Sequence, residues 1–336
     1  MTTTTRRALL AVSAAALPLV NLRAQSAPID LKVSHYMPPG NTIDKWLAAW
    51  AAELDKRSNG RIKLRVYPAG QLGPVPRQFD LARNGQAELA VGLAGATPGR
   101  YPMTELSNLP FVFPSGGSSS AVTSRRLTEL APKYLASEFA GLKILWFGVT
   151  PPNTLFTGKR EITAIADVKG LKMRFQGEQA AKVLRALGAV PVQVPPGDVA
   201  DGMAKGVIDG AIFNYEAAEA FGVGPSARFV AEPPFSCATL ALVMNSARYD
   251  ALPAELRLLI DETTGPEAAG RMGHDWDLAD EHGRAYLIAN KVKINVMAPA
   301  ELAKFKAALE PIVAEGVGEL TKAGKPAQAF LDAYRA

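Results

Sequence analysis

Short apolar runs with strand periodicity, each followed by a span with helical spacing, recur along most of the chain, and this order confines it to an open α/β architecture. Ile29 to Ser34 alternates as a first strand, and His35-Tyr36-Met37-Pro38-Pro39-Gly40 makes the loop at its carboxyl end. Asn41 is placed to cap a helix in which Ile43, Trp46, Leu47, Trp50 and Leu54 fall at helical spacing, and Asn59-Gly60 stops it. In the next strand Ile62, Leu64 and Val66 alternate with Arg61, Lys63 and Arg65. The turn from Pro68 to Gly73 leads into a helix ending near Gly85, and Ala87 to Val91 returns as a strand. This βαβαβ order predicts a first lobe with a mostly parallel sheet flanked by helices.

Glycine and proline dominate Gly92 to Pro114, where Pro98-Gly99-Arg100-Tyr101-Pro102 has the character of a binding loop. Ser115 to Ser120 is a polar entry to a helix over Val122 to Phe139. Leu142 to Val149 is a strand, and Thr150-Pro151-Pro152-Asn153 breaks it at the crossing into a second lobe. That lobe repeats the alternation, with a strand ending at Arg174, a helix from Glu178 to Leu187, a strand from Val190 to Val194, a helix from Asp198 to Lys205 and a strand from Ile208 to Phe213. A strand over Phe235 to Asn245 is expected to cross back into the first lobe. A long helical region from Pro253 to Ala289 should bend at Gly265-Pro266, and Lys291 to Val296 and a helix from Pro299 finish the chain. Two similar lobes joined by more than one crossing make a clamshell that closes on a ligand. The expected division is 1–26 as an export signal, 27–149 with 236–265 as lobe I, and 150–235 with 266–336 as lobe II.

Ligands of open α/β sheets bind at the carboxyl ends of the strands. The stretch from Asp167 to Gly177 reads as a turn, a strand carrying Leu171 and Met173, and a glycine from which the next helix departs, so Arg174 stands at such an end. Its guanidinium offers a fixed fork of donors suited to a carboxylate or phosphate, although an ordinary surface salt bridge would use the same residue. Asn214, Tyr215 and Glu216 follow the strand that ends at Phe213 and should face Arg174 across one pocket. Glu216 is read as a contact to a ligand hydroxyl or to the opposite lobe, or as an exposed carboxylate at a helix start. Tyr36, Phe175, Phe213 and Tyr215 are candidate aromatic contacts, with core packing as the alternative for each. Asn153 at the crossing and Arg100 in the glycine-rich loop complete the candidate set, Arg100 being the second choice for holding a carboxylate.

The 336 residues suffice for two domains with large cores. The net charge of +5 points toward nucleic acid, but Arg6, Arg7 and Arg23 lie in an N-terminal segment without acids, and no basic cluster interleaved with aromatics occurs elsewhere. Thr5-Arg6-Arg7 followed by the apolar run Ala11 to Val20 and small residues around Ala24 to Ala27 has the pattern of an export signal, twin-arginine-like or secretory. The single cysteine, Cys237, forms no pair, which suits a periplasmic protein stable without disulfides.

Catalytic patterns are sparse. His274 and His282 are two helical turns apart, no Gly-x-Ser-x-Gly elbow occurs, and Gly222 to Ala227 mimics a dinucleotide fingerprint but contains Pro225 and follows a helical pattern. No catalytic residue, metal or cofactor is expected. An exported enzyme, or a ligand-sensing subunit on the same fold, remains as an alternative.

Several stretches in order resemble a known family: Ser58-Asn59-Gly60-Arg61 through Tyr67-Pro68-Ala69-Gly70-Gln71-Leu72-Gly73, then Pro98-Gly99-Arg100-Tyr101-Pro102 through Leu109-Pro110-Phe111, then Asp167 to Arg174, Gly206-Val207-Ile208-Asp209-Gly210, and Val243-Met244-Asn245 with Leu252-Pro253. From about Leu31 to Phe330 the chain resembles the extracytoplasmic solute receptors of TRAP (tripartite ATP-independent periplasmic) transporters, of the DctP type. The resemblance implies a two-lobed periplasmic-binding-protein clamshell that captures a small organic acid and hands it to the membrane permease subunits, acting as a monomer. It implies that Arg174 clamps the ligand carboxylate. Many members carry Glu-Asn two residues after the Asp-Gly motif, whereas this chain reads Ala211-Ile212-Phe213-Asn214-Tyr215-Glu216. That departure turns the expectation away from sialic-acid-like ligands, and the candidate aromatics Phe175, Phe213, Tyr215 and Tyr36 turn it toward a monocarboxylate with an apolar or aromatic body.

Overall fold

The computed structural model describes residues 27–336; the export signal expected over 1–26, with Arg6 and Arg7, lies outside the described residues. In chain order the strands and α-helices are β1 (Ile29–His35), α1 (Thr42–Arg57), β2 (Ile62–Tyr67), α2 (Gln78–Arg83), β3 (Leu89–Leu93), α3 (Ser120–Tyr134), β4 (Leu142–Val149), β5 (Asn153–Thr157), β6 (Lys172–Arg174), α4 (Glu178–Ala186) and β7 (Val190–Val192). There follow α5 (Val199–Ala204), β8 (Gly210–Phe213), α6 (Tyr215–Ala220), β9 (Phe229–Ser236), β10 (Thr239–Asn245), α7 (Ser246–Asp250), α8 (Ala254–Thr263), α9 (Gly265–Ala289), β11 (Lys293–Val296), α10 (Pro299–Lys322) and α11 (Ala327–Arg335).

The strands form two sheets, ordered β2-β1-β3-β10-β4 and β11-β9-β5-β8-β6-β7, and each sheet with its helices is one lobe of a clamshell. β1 is parallel to β2 and β3, β6 is parallel to β7 and β8, and β11 is parallel to β9. One strand per sheet runs against its neighbours, β10 in the first and β5 in the second. These are the strands that the crossings deliver. The chain leaves β4, passes Thr150-Pro151-Pro152 and enters the second sheet as β5; it leaves β9, passes Cys237-Ala238 and re-enters the first as β10. The run expected as one strand over Phe235 to Asn245 is therefore divided at that crossing. The two crossings are bonded to each other, the Thr150 amide donating to the Ala238 carbonyl (2.9 Å) and the Ala238 amide to the Thr150 hydroxyl (3.0 Å).

Local sequence sets the helix ends. Asn41 accepts the Asp44 amide at 2.9 Å and starts α1, whose Ile43, Leu47, Trp50 and Leu54 are buried. Gly265, at φ +81°, separates α8 from α9, and Pro266 falls in the first turn of α9, where its missing N–H removes no helical bond. α9 then spans both lobes. A Cβ on Gly273 would lie 2.4 Å from the Ser120 carbonyl oxygen at the start of α3, and one on Gly283 would lie 2.6 Å from the Tyr215 carbonyl oxygen at the start of α6. Asp277 accepts the amides of Ser120 (2.6 Å) and Ala121 (3.0 Å), and Asp280 accepts the amide of Glu216 (2.8 Å). One helix thus caps a helix from each lobe with a carboxylate, favourable against the positive end of a helix dipole.

A core containing Leu31, Ile43, Leu47, Trp50 and Trp276 belongs to the first sheet, and one containing Phe156, Ile208, Val230 and Leu287 to the second. A third core is shared: Phe79, Leu127 and Phe139 join Leu155, Met173 and Val183 through Phe305 of α10 and Phe330 of α11. The stretch 266–336, expected as a unit in lobe II, is accordingly divided, since α10 packs on α4, α11 on α3, and α9 on both α3 and α6.

Candidate functional site

Arg174 ends β6, held in register with Val192 of β7 and Ala211 of β8. The residue is 3% exposed. Its Nε donates to the Val194 carbonyl (3.3 Å) and its Nη1 to the Ile212 carbonyl (3.2 Å). The guanidinium carbon lies 4.4 Å from the centre of the Phe213 ring, and Phe221 stacks with that ring at 6.1 Å and 27°. Two carbonyls and an aromatic face therefore fix the plane of the fork. Nη2 has no partner among the described residues, and no aspartate or glutamate among them pairs with the guanidinium. Burial pulls the Arg174 pKa down to about 10, with the Tyr36 phenol acting in the opposite sense, so the group stays cationic at neutral pH.

A cavity opens on this arginine. Its walls are largely apolar and aromatic, built from Met37, Leu93, Phe221, Leu240 and Trp276, and its polar groups include Tyr36, Asn153, Asn214 and Glu216. The Asn153 amide nitrogen is buried without a partner. Glu216 takes a bond from the Trp276 indole (3.0 Å) and a longer one from the Thr42 hydroxyl (3.3 Å), so a carboxylate of α6 meets the first turn of α1 from the other lobe. Asp280 stands behind it, accepting the Glu216 amide and the Asn214 side-chain amide (3.0 Å). Burial pushes Glu216 upward against those two donors and pushes Asp280 up to about 7. The loop that carries Tyr36 is braced by Asp44, which accepts the Gly40 amide (2.7 Å) and bonds His35 Nε2 (3.1 Å). Burial lowers the pKa of His35 and raises that of Tyr36. Such a site can clasp one carboxylate on fixed donors and enclose an apolar body beside it.

Residues 33–319 match the family described as bacterial extracellular solute-binding protein, family 7 (DctP). The chain belongs to this family. A TRAP solute-binding protein from Rhodoferax ferrireducens, solved with copurified benzoate, is 32% identical, covers 91% of this chain and 96% of its own, and superposes with a TM-score of 0.86. A marine metagenome TRAP solute-binding protein described as specific for aromatic acid ligands, solved with 3-hydroxybenzoate, is 28% identical over 92% of this chain and 97% of its own, also with a TM-score of 0.86. The C4-dicarboxylate-binding periplasmic protein DctP of Rhodobacter capsulatus is 28% identical over 94% of this chain and 96% of its own. The family is extracytoplasmic, and no helix among the described residues is long and apolar enough to cross a membrane.

Within this DctP-family chain six of the nine candidates, Arg174, Asn153, Phe213, Asn214, Glu216 and Tyr36, line the one cavity. Three stand elsewhere. Phe175 follows Arg174 directly, so its side chain points to the other side of the extended segment and packs against the shared core. Tyr215 opens α6 facing away from the cavity; it is buried, and its hydroxyl donates to Glu232 Oε1 (2.5 Å). Arg100 is held by both nitrogens on Asp80 (2.9 and 2.6 Å) with Tyr101 beneath it at 5.8 Å. Sequence reasoning did not single out Leu93, Phe221, Leu240 and Trp276. Leu93 ends β3 and the carboxyl-edge rule could have found it. Leu240 lies at the start of the reversed strand β10, where that rule looks at the wrong end, and Trp276 reads as one more core residue of a long helix. Among the described residues no group of three or more His, Cys, Asp or Glu side chains is arranged to hold a metal.

Proposed function

We propose that this protein is the receptor for an aromatic monocarboxylate, which it captures outside the cytoplasm and delivers, as a monomer, to the membrane subunits of a TRAP permease. The observation that carries the reading is the buried Arg174 with an open Nη2 and no carboxylate partner among the described residues. A cation removed from water without a counter-ion is costly to the free protein, and a ligand carboxylate is the group that offsets the cost. The unpartnered amide nitrogen of Asn153 supplies a further donor in the same cavity. The apolar and aromatic walls suit a ring, in keeping with the benzoate and 3-hydroxybenzoate held by the two TRAP relatives.

Binding without catalysis is the reading favoured by the side chains in the cavity. Cys237 is buried and its thiol is pushed further toward the protonated form, and the carboxylates behind the cavity, Asp280 and Asp44, serve a helix start and a loop brace. Export through the N-terminal signal belongs to the same reading. Isothermal titration of the mature protein with benzoate, with phenylacetate and succinate as comparisons, is the test. Saturable binding of an aromatic monocarboxylate with little response to succinate is the expected result. Binding confined to succinate, or to no acid at all, overturns the reading.

A further inference from the structure

The cavity is dipolar. Among its described lining residues Arg174 is the one cation and Glu216 the one anion, and Tyr36 stands within the field of both. Glu216 is 7% exposed; Trp276 Nε1 donates to one of its oxygens at 3.0 Å and Thr42 Oγ1 to the other at 3.3 Å, with the Thr42 amide assisting. A carboxylate offers about four acceptor positions, so these donors leave capacity toward the cavity. Asp280 bonds the Glu216 backbone from behind and the neighbouring Asn214 as well, which adds a second acidic group at the same pole. Among the described residues that line the cavity, none at this end is a lysine or arginine.

We propose that Glu216 sets the ligand class: among aromatic acids that place one carboxylate on Arg174, the site prefers those whose ring carries a hydroxyl reaching Glu216, and it rejects those carrying a second carboxylate there. The inference rests on the aromatic-monocarboxylate reading above and goes further by naming what the far end of the ligand must be. A phenolic hydroxyl donates to Glu216 in a charge-assisted bond. Such bonds contribute roughly 1.5–3 kcal/mol, which corresponds to about ten- to a hundredfold in affinity. A second carboxylate meets Glu216 with no cation among the described lining residues at that end to pair with, so it brings like-charge repulsion and an unpaired buried charge together.

The same carboxylate also touches the first turn of α1, so Glu216 contributes to holding the lobes together whatever the ligand is. A contribution of that kind scales all affinities alike. The ratio between ligands is therefore the measurement that isolates recognition. The experiment titrates wild type and Glu216→Gln with benzoate, with 2-, 3- and 4-hydroxybenzoate, and with the three benzenedicarboxylates, by calorimetry at neutral pH.

In the wild type at least one hydroxybenzoate should bind about tenfold or more tighter than benzoate, and every dicarboxylate about a hundredfold or more weaker. In Glu216→Gln the hydroxyl preference should fall to within about threefold, and the gap between benzoate and the best dicarboxylate should narrow at least tenfold. A wild type that binds benzoate but prefers no hydroxybenzoate, or a variant whose ratios match the wild type within twofold, overturns this inference and leaves the aromatic-acid reading standing. A wild type that binds none of these acids overturns both.

Discussion

Of the arginines that stand beside aromatic rings, Arg100 and Arg174 meet opposite fates. Arg100, in the glycine-rich loop, has Tyr101 beneath it and both terminal nitrogens on Asp80. That bond holds Asp80 below the usual carboxylate range, with burial working against it and Arg83 assisting. Arg174, in the cleft, has Phe213 beneath it and two backbone carbonyls at its fork, but no acid. The first is completed by the chain itself and the second is left incomplete. Residue type and ring neighbour are common to both, so the receptor role proposed for the second rests on the missing anion. Glu105 shows the other way to tolerate an unpaired buried ionisable group. Its Oε1 is buried without a partner where Gly95 and Gly177 of the two lobes approach, and burial, with Glu178 and Glu138 nearby and only Lys182 opposing, pushes it up to about 7. A carboxyl can shed its charge near neutrality, and a guanidinium cannot.

The largest expected effect tests the incomplete arginine. Arg174→Ala should weaken benzoate binding by 2–5 kcal/mol, roughly 30-fold to several thousandfold, while the melting temperature of the free protein stays level or rises because an unpaired cation has been removed. Arg174→Lys should recover only part of the affinity, a point charge replacing a two-pronged donor. Calorimetry and thermal melts read both, and an alanine variant binding within about threefold of wild type would erase the distinction between the two arginines.

Next comes Glu105. Its folded pKa lies above the ordinary value of 4.5, so the folded state binds the proton more tightly, and stability rises as pH falls from about 7 to 4.5. Glu105→Gln should therefore gain about 1–3 kcal/mol at pH 8 and close to nothing at pH 4.5. Urea midpoints at the two pH values check this, and an equal shift at both would show that shape rather than charge was responsible. Phe213→Leu removes the ring under the Arg174 fork and should cost about three- to tenfold in benzoate affinity, in line with 0.5–1 kcal/mol or somewhat more for a cation–π contact. The smallest effect belongs to Arg100→Ala: affinity within about threefold and a stability loss of about 1 kcal/mol or less, as for a half-exposed ion pair. A tenfold loss of benzoate binding there would collapse the comparison from its other side.

Much of this was legible in the sequence because periodicity is local. The alternation in 61–67, the cap at Asn41 and the break at Gly265-Pro266 each announce their element without knowledge of the rest. The carboxyl-edge rule brought Arg174, Asn214 and Glu216 to one cavity for the same reason, since strand and loop are contiguous. What was not legible depends on contacts far apart in sequence. The Asp80 partner of Arg100 stands on another element, α2. The faces taken by Phe175 and Tyr215 depend on one-residue alternation at strand and helix ends, where a step turns a side chain from cavity to core. Leu240 reaches the cavity because β10 is reversed, and strand direction is a property of the whole sheet.

The caps that α9 gives to α3 and α6 have a mechanical meaning. Asp277 and Asp280 are three positions apart on one helix, and each grips the start of a helix from a different lobe, with Gly273 and Gly283 admitting the backbones. Rotation of one lobe against the other has to be absorbed by two short, mutually bonded crossings, by the turn between α10 and α11, and by the turn of α9 between those aspartates. That turn acts as a torsion bar. A pair of labels flanking it would report opening as twist within a single helix, and lengthening the interval between the aspartates would soften the jaw.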